Sequence, residues 1–266
     1  MTGGGDMTVI NTDKWLHESM DNPVKMCERL EKNFTGVSSN EIYQHLVMHG
    51  MYQQPLDDGK ELIKELQEKD TWETVQKAES RLRKKWGGPN IPIFIFPADQ
   101  KNRDLSRNFN GKSGLAFVDK LFLFVSTTNT KKEIKALFTH EYNHTCRLKK
   151  YETEENDYVL LDSVILEGLA EAAVLEQLGD EYTAKWTTYY SDGELEKMWR
   201  RLIQPSRQLP KNHQRHQKLL YGVGFYPKMA GYAVGYYLVK KHMEKYKLTS
   251  KELLDIPSEE IAQIKE

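Results

Sequence analysis

The segment TKKEIKALFTHEYNHTCRL, residues 130–148, has the residue types and spacing of a hydrolytic metal centre. His140 and His144 are four residues apart, so on a helix they share a face, and two imidazoles one turn apart can grip a single zinc ion. Glu141 follows the first of them and is placed to take a proton from an attacking water, the physical logic of the H-E-x-x-H pattern. A catalytic zinc typically keeps three protein ligands and one open position. A third His, Asp or Glu must therefore arrive from elsewhere in the chain.

The best supply is VLLDSVILEGLAEAAVLEQLGD, residues 159–180, an apolar helical stretch ended by Gly179. One face runs Leu160, Val164, Glu167, Glu171, Val174 and Leu178, at spacings of three and four. Two carboxylates interrupt this apolar stripe, and a buried acid is costly unless it is paired or bound to metal. Glu167, 23 residues after His144, is the expected third ligand, since the intervening KKYETEEND leaves room for a short connection and an antiparallel return. Glu171, one turn later, is expected to accept the second ring N–H of a ligand histidine and hold its orientation.

Amide hydrolysis also needs a donor for the developing oxyanion. The tyrosine-rich segment YGVGFYPKMAGYAVGYYLVKKH, 221–242, is the natural source. Tyr232 and Tyr236 lie one helical turn apart, with Gly231 and Gly235 permitting close approach, and Tyr226 precedes the helix behind Pro227. Tyr232 is the preferred candidate, although aromatic residues at this spacing also serve as ordinary core. His213 and His216 are rivals from the polar stretch QPSRQLPKNHQRHQK, 204–218, where they are expected to be solvated.

Thr130 and Glu133 form an S/T-x-x-E capping box, which starts the helix that carries His140 and His144. Leu137 and Leu148 flank the histidines, so the ligand face is expected to point inward. Ahead of that helix, IPIFIFP (91–97) reads as a strand, and NFNGKSG (108–114) as turn chemistry leading into the strands LAFV (115–118) and LFLFV (121–125). Residues 1–12 are Gly-rich and polar, the composition of a disordered end. From residue 13 to 88 the chain is charged and helix-forming, with apolar residues at helical spacing in Leu62, Ile63, Leu66, Val75, Ala78 and Leu82. The expected organisation is a disordered end, a helical N-terminal region (13–88) and a metallopeptidase-like domain (89–266). The fold class is α+β, mostly helical, with a small sheet before the zinc helix.

The 266 residues carry a formal net charge of -1 despite 29% charged residues, so no global field steers the chain onto nucleic acid or an acidic membrane. No apolar run reaches the roughly 18 residues of a membrane span. Two distant cysteines, Cys27 and Cys146, make neither a disulfide framework nor a thiolate metal site, which points to a reducing, cytoplasmic setting. The implied partner is a peptide or protein substrate. Competing readings are a catalytically silent zinc-bound scaffold and a domain that binds a partner through its N-terminal helices.

The combination of HEYNH, ILEGLAE and the later GYAVGYYLV (231–239) resembles the YjaZ-like family of bacterial predicted zinc-dependent proteases, and more broadly the gluzincin arrangement of zinc peptidases. The likeness covers roughly residues 90–245. It implies a gluzincin-like fold, zinc as cofactor, His140, His144 and Glu167 as ligands and Glu141 as general base. The gluzincin likeness further implies an edge strand beside the zinc helix that pairs with extended substrate, a place that LFLFV would fill.

Overall fold

The computed structural model describes residues 8–53, 59–151 and 157–264. It is α+β, with many helices and one three-stranded mixed sheet. By contact density the chain divides into residues 1–145 and 146–266, and the division falls inside one long helix.

The first unit begins with helices α1 (Thr12–Ser19), α2 (Pro23–Cys27), α3 (Ser39–Met48), α4 (Gly59–Glu68) and α5 (Thr71–Trp86). The apolar positions read from the sequence, Leu62, Ile63 and Leu66 in α4 and Val75, Ala78 and Leu82 in α5, are all buried. The expected disordered end falls partly on residues 1–7, outside the described residues. Residues 8–12 depart from that expectation, because the Thr8 carbonyl accepts from the Ile93 amide (2.9 Å), the Ile10 amide donates to the Ile93 carbonyl (2.9 Å) and Thr12 is fully buried. A Gly-rich composition does not register that backbone pairing.

Strand β1 (Ile93–Pro97) is followed by α6 (Arg103–Phe109), then β2 (Ser113–Ala116) and β3 (Leu121–Val125). The sheet order is β1-β3-β2, with β1 parallel and β2 antiparallel to β3. β1 and β3 are buried at every position, as their continuous apolar sequences require, whereas β2 is half-buried throughout. α6 replaces part of the expected turn: the Asn102 side chain accepts from the amides of Asp104 (3.1 Å) and Leu105 (3.0 Å) and so starts a short helix.

Helix α7 (Lys131–Lys150) leads out of the sheet. The second unit contains α8 (Leu160–Leu178), α9 (Asp192–Met198), α10 (Gln214–Tyr221), α11 (Ala230–Tyr246), α12 (Ser250–Leu253) and α13 (Ser258–Ile261). The α7–α8 connection predicted from KKYETEEND includes residues 152–156, which lie outside the described residues. α8 and α11 form the spine of this unit. Val164, Ile165, Leu169 and Ala172 of α8 join Ala233, Val234 and Val239 of α11 in one buried cluster, where each large aliphatic side chain contributes about 1.5–3 kcal/mol. The two backbones nearly touch: a β-carbon on Gly168 would press on the Gly235 carbonyl oxygen and stand 2.8 Å from the Tyr236 nitrogen. Nearby, the buried Arg147 guanidinium donates to the carbonyls of Leu254 (2.9 Å) and Ile256 (2.7 Å), tying the last turns of α7 to the α12–α13 link.

Candidate metal centre

The start of α7 is the capping box read from the sequence: the Thr130 amide donates to Glu133 (2.7 Å) and the Glu133 amide to the Thr130 hydroxyl (3.2 Å). One face of the helix is anchored by aromatics. Phe138 stacks on Tyr142 at 5.2 Å, Tyr142 stacks on Trp86 at 6.0 Å, and the Tyr142 hydroxyl donates to the Pro89 carbonyl (2.9 Å). Two residues advance a helix by about 200°, so fixing Phe138 and Tyr142 turns His140 and His144 to the other side. There the two rings lie 4.6 Å apart, edge to face, with His144 buried and His140 half-buried.

On α8 the stripe predicted to be buried is buried at Leu160, Val164, Glu171 and Val174, with Glu167 half-buried between them. One ligand atom from each of His140, His144 and Glu167 can be chosen so that all three lie within 4.8 Å of one another. Two imidazole nitrogens and a carboxylate oxygen are a donor set that zinc accepts in catalytic sites. Ligands at about 2.1 Å from a tetrahedral ion stand roughly 3.4 Å apart, so the group needs to contract by little more than about 1 Å to hold one. The residues fit the metal.

Glu141 is 8% exposed and lies against β2. A β-carbon added to Gly114 would collide with its side chain, standing 2.6 Å from Oε1. The strand implied for substrate pairing is therefore misassigned: LFLFV is β3, the centre of the sheet, because β1 and β2 both pair with it. The edge strand beside Glu141 is β2. Among the described residues no strand pairs with its outer side.

Tyr232, on α11, is half-buried, with its hydroxyl hydrogen-bonded to the Glu167 carboxylate and to the Tyr221 hydroxyl. Burial first, and then the Glu167 charge, holds this phenol well above its ordinary range, so it stays protonated. Its ring stands 5.4 Å from Trp186, edge to face, and 5.4 Å from Tyr221. Tyr236 faces Glu171, and burial followed by that charge pushes its phenol up to about 12. Glu171 itself is buried and accepts from the Ala184 amide, which fixes the short helical turn that carries Trp186.

Of the two loop histidines, His213 is exposed, as expected, and His216 is not. His213 caps α10, its Nδ1 accepting from the Arg215 amide (3.1 Å). His216 is fully buried rather than solvated, within hydrogen-bond reach of the Leu209 carbonyl (3.2 Å) and the Ser163 hydroxyl (3.0 Å). Among the residues that sequence reading missed, Gly114 and Tyr221 carry no local signal, since each matters through a partner 27 or 11 residues away.

A family described as "Predicted Zn-dependent protease (DUF2268)" matches residues 71–263. The chain is 40% identical over 258 residues to the uncharacterized protein YjaZ of Bacillus subtilis (strain 168), covering 95% of this chain and 97% of that one. It is 22% identical over 215 residues to the uncharacterized protein YjfC of the same organism, covering 74% and 70%. No solved structure gives a significant match.

Proposed function

Because the chain belongs to the DUF2268 family of predicted Zn-dependent proteases, we propose that it is a gluzincin-type peptidase with His140, His144 and Glu167 as zinc ligands and Glu141 as general base. The observation that carries the reading is the His140, His144 and Glu167 donor group within 4.8 Å, with Glu141 adjoining His140 in sequence. When bound, zinc supplies a Lewis acid that polarises the scissile carbonyl and lowers the pKa of a neighbouring water towards neutrality.

Glu141 takes one proton from the attacking water as the water oxygen bonds to the carbonyl carbon. It delivers that proton to the amine nitrogen as the C–N bond breaks, and so ends as it began. Burial of the carboxylate limits competition from bulk water. Ser113–Ala116 is the edge along which an extended peptide adds as a further strand, its main chain bonded without demand on sequence, and Gly114 leaves the approach to Glu141 open. Glu171 serves to orient a ligand histidine.

A structural zinc site is normally closed by four protein ligands, and the group here offers three among the described residues, which favours turnover over a scaffold role. No helix among the described residues is long and apolar enough to cross a membrane. Cys27 and Cys146 are buried and in no disulfide, which suits the cytoplasm. The reading is tested by metal analysis: about one zinc per chain is expected, lost in the His140→Ala, His144→Ala double variant. A full complement in that variant refutes the ligand set.

A further inference from the structure

We infer that Tyr232 and Tyr221 are positioning residues for Glu167, forming a two-hydroxyl chain that fixes the ligand carboxylate before metal arrives. The inference deepens the zinc-peptidase reading and rests on it. The Tyr232 hydroxyl meets both the Glu167 carboxylate and the Tyr221 hydroxyl. A carboxylate only accepts and a phenol has one proton to give, so Tyr232 donates to Glu167 and is left to accept from Tyr221. Each donation strengthens the other, because the anion at the end polarises the chain.

The fold fixes this chain from several sides. Tyr232 is held between the rings of Trp186 and Tyr221, both at 5.4 Å. Trp186 belongs to the turn that buried Glu171 secures through the Ala184 amide. Tyr221 ends α10, and its carbonyl accepts from the Met229 amide (2.8 Å) just before α11, which closes the 221–229 segment at its base. The Gly168–Gly235 approach brings α11 close enough to α8 for a phenol on one helix to reach a carboxylate on the other.

Glu167 has three side-chain torsions and is half-buried, so without such donors it samples several rotamers and loses entropy when a metal fixes it. Outer partners that prevent this are typically worth 10- to 100-fold in metal affinity. An oxyanion donor, the role expected of Tyr232 from sequence alone, has to face the substrate. A hydroxyl committed to Glu167 acts through the ligand instead.

The test is zinc affinity by competition with a chromophoric chelator for the wild type, Tyr232→Phe, Tyr221→Phe and the double Phe variant, with thermal melting of each metal-free protein. Tyr232→Phe keeps the ring packing and is expected to weaken zinc binding about 10- to 100-fold. Tyr221→Phe, at a 41% exposed site where folding is not at risk, is expected to weaken it several-fold. The double variant should be no weaker than Tyr232→Phe, because Tyr221 acts only through Tyr232. Unchanged affinity in both single variants, with zinc still lost on His140→Ala, overturns the positioning role and leaves the zinc site standing. Additive losses overturn the chain. Wild-type protein that binds no zinc, or whose zinc survives His140→Ala and His144→Ala together, overturns the underlying reading and the inference with it.

Discussion

Gly114, the second residue of edge strand β2, lies so close to Glu141 of helix α7 that a β-carbon there would stand 2.6 Å from the carboxylate oxygen Oε1. The absent side chain leaves the space for the carboxylate, beside a strand edge with which no strand among the described residues pairs. Because the obstructing atoms belong to a side chain rather than to backbone, Gly114→Ala is expected to move Glu141 at little cost to the fold. Melting temperature and zinc content should stay near wild type, while peptide hydrolysis falls on the order of 10- to 100-fold, the usual consequence of misplacing a reacting group by about 1 Å. Wild-type turnover in this variant would detach the strand from the site.

The α8–α11 contact is less forgiving. A methyl at Gly168 meets the Gly235 carbonyl and the Tyr236 nitrogen, backbone atoms that cannot turn aside. Gly168→Ala is expected to destabilise the protein by about 1–3 kcal/mol, read as a lower urea midpoint at unchanged slope. Gly193→Ala, in open space and without a left-handed backbone, is the control and should not lower the midpoint. Equal midpoints would show that the helices accommodate the methyl.

Glu171→Gln retains an oxygen to accept from the Ala184 amide and removes only the charge. Zinc affinity is expected to fall about 10- to 100-fold without abolition of binding, by chelator competition. Unaltered affinity would confine Glu171 to holding the Trp186 turn, and complete loss would make it the third ligand in place of Glu167.

His216 gives the second unit an acid sensitivity. Burial, its largest influence, lowers the ring below its ordinary 6.5, outweighing the Leu209 and Pro210 backbone hydrogen bonds and the nearby Asp162, while Lys211 lowers it further. Between 6.5 and the lower folded value the unfolded chain binds more protons than the folded one, so stability falls as pH drops through that window. His242, buried and lowered in the same way, adds to the trend. His216→Gln should flatten the fall of melting temperature below about pH 6.5, and identical slopes for variant and wild type would exclude His216 as a source.

The parts of this site that were legible in the sequence are those set by short-range periodicity. The Thr130–Glu133 cap, the His140–His144 spacing and the buried stripe of α8 interrupted by Glu167 and Glu171 need only a helix and its period. Strand pairing is non-local, and LFLFV has the same apolar pattern whether it lies at an edge or, as here, between β1 and β2. The burial of His216 depends on Ser163, 53 residues earlier, and the polar neighbours of the histidine conceal it. Gly114 in NGKSG reads as turn chemistry, and only its partner on α7 shows what its missing side chain admits.

The measurement closest to the central claim compares wild type and Glu141→Gln on a mixed peptide library read by mass spectrometry, with zinc content and thermal melting recorded for both. Glutamine keeps the size and packing of a residue only 8% exposed and removes the proton acceptor. The account predicts zinc and stability close to wild type with cleavage reduced by at least about 100-fold, the lower range for loss of a general base. Equal cleavage by the two proteins would contradict it.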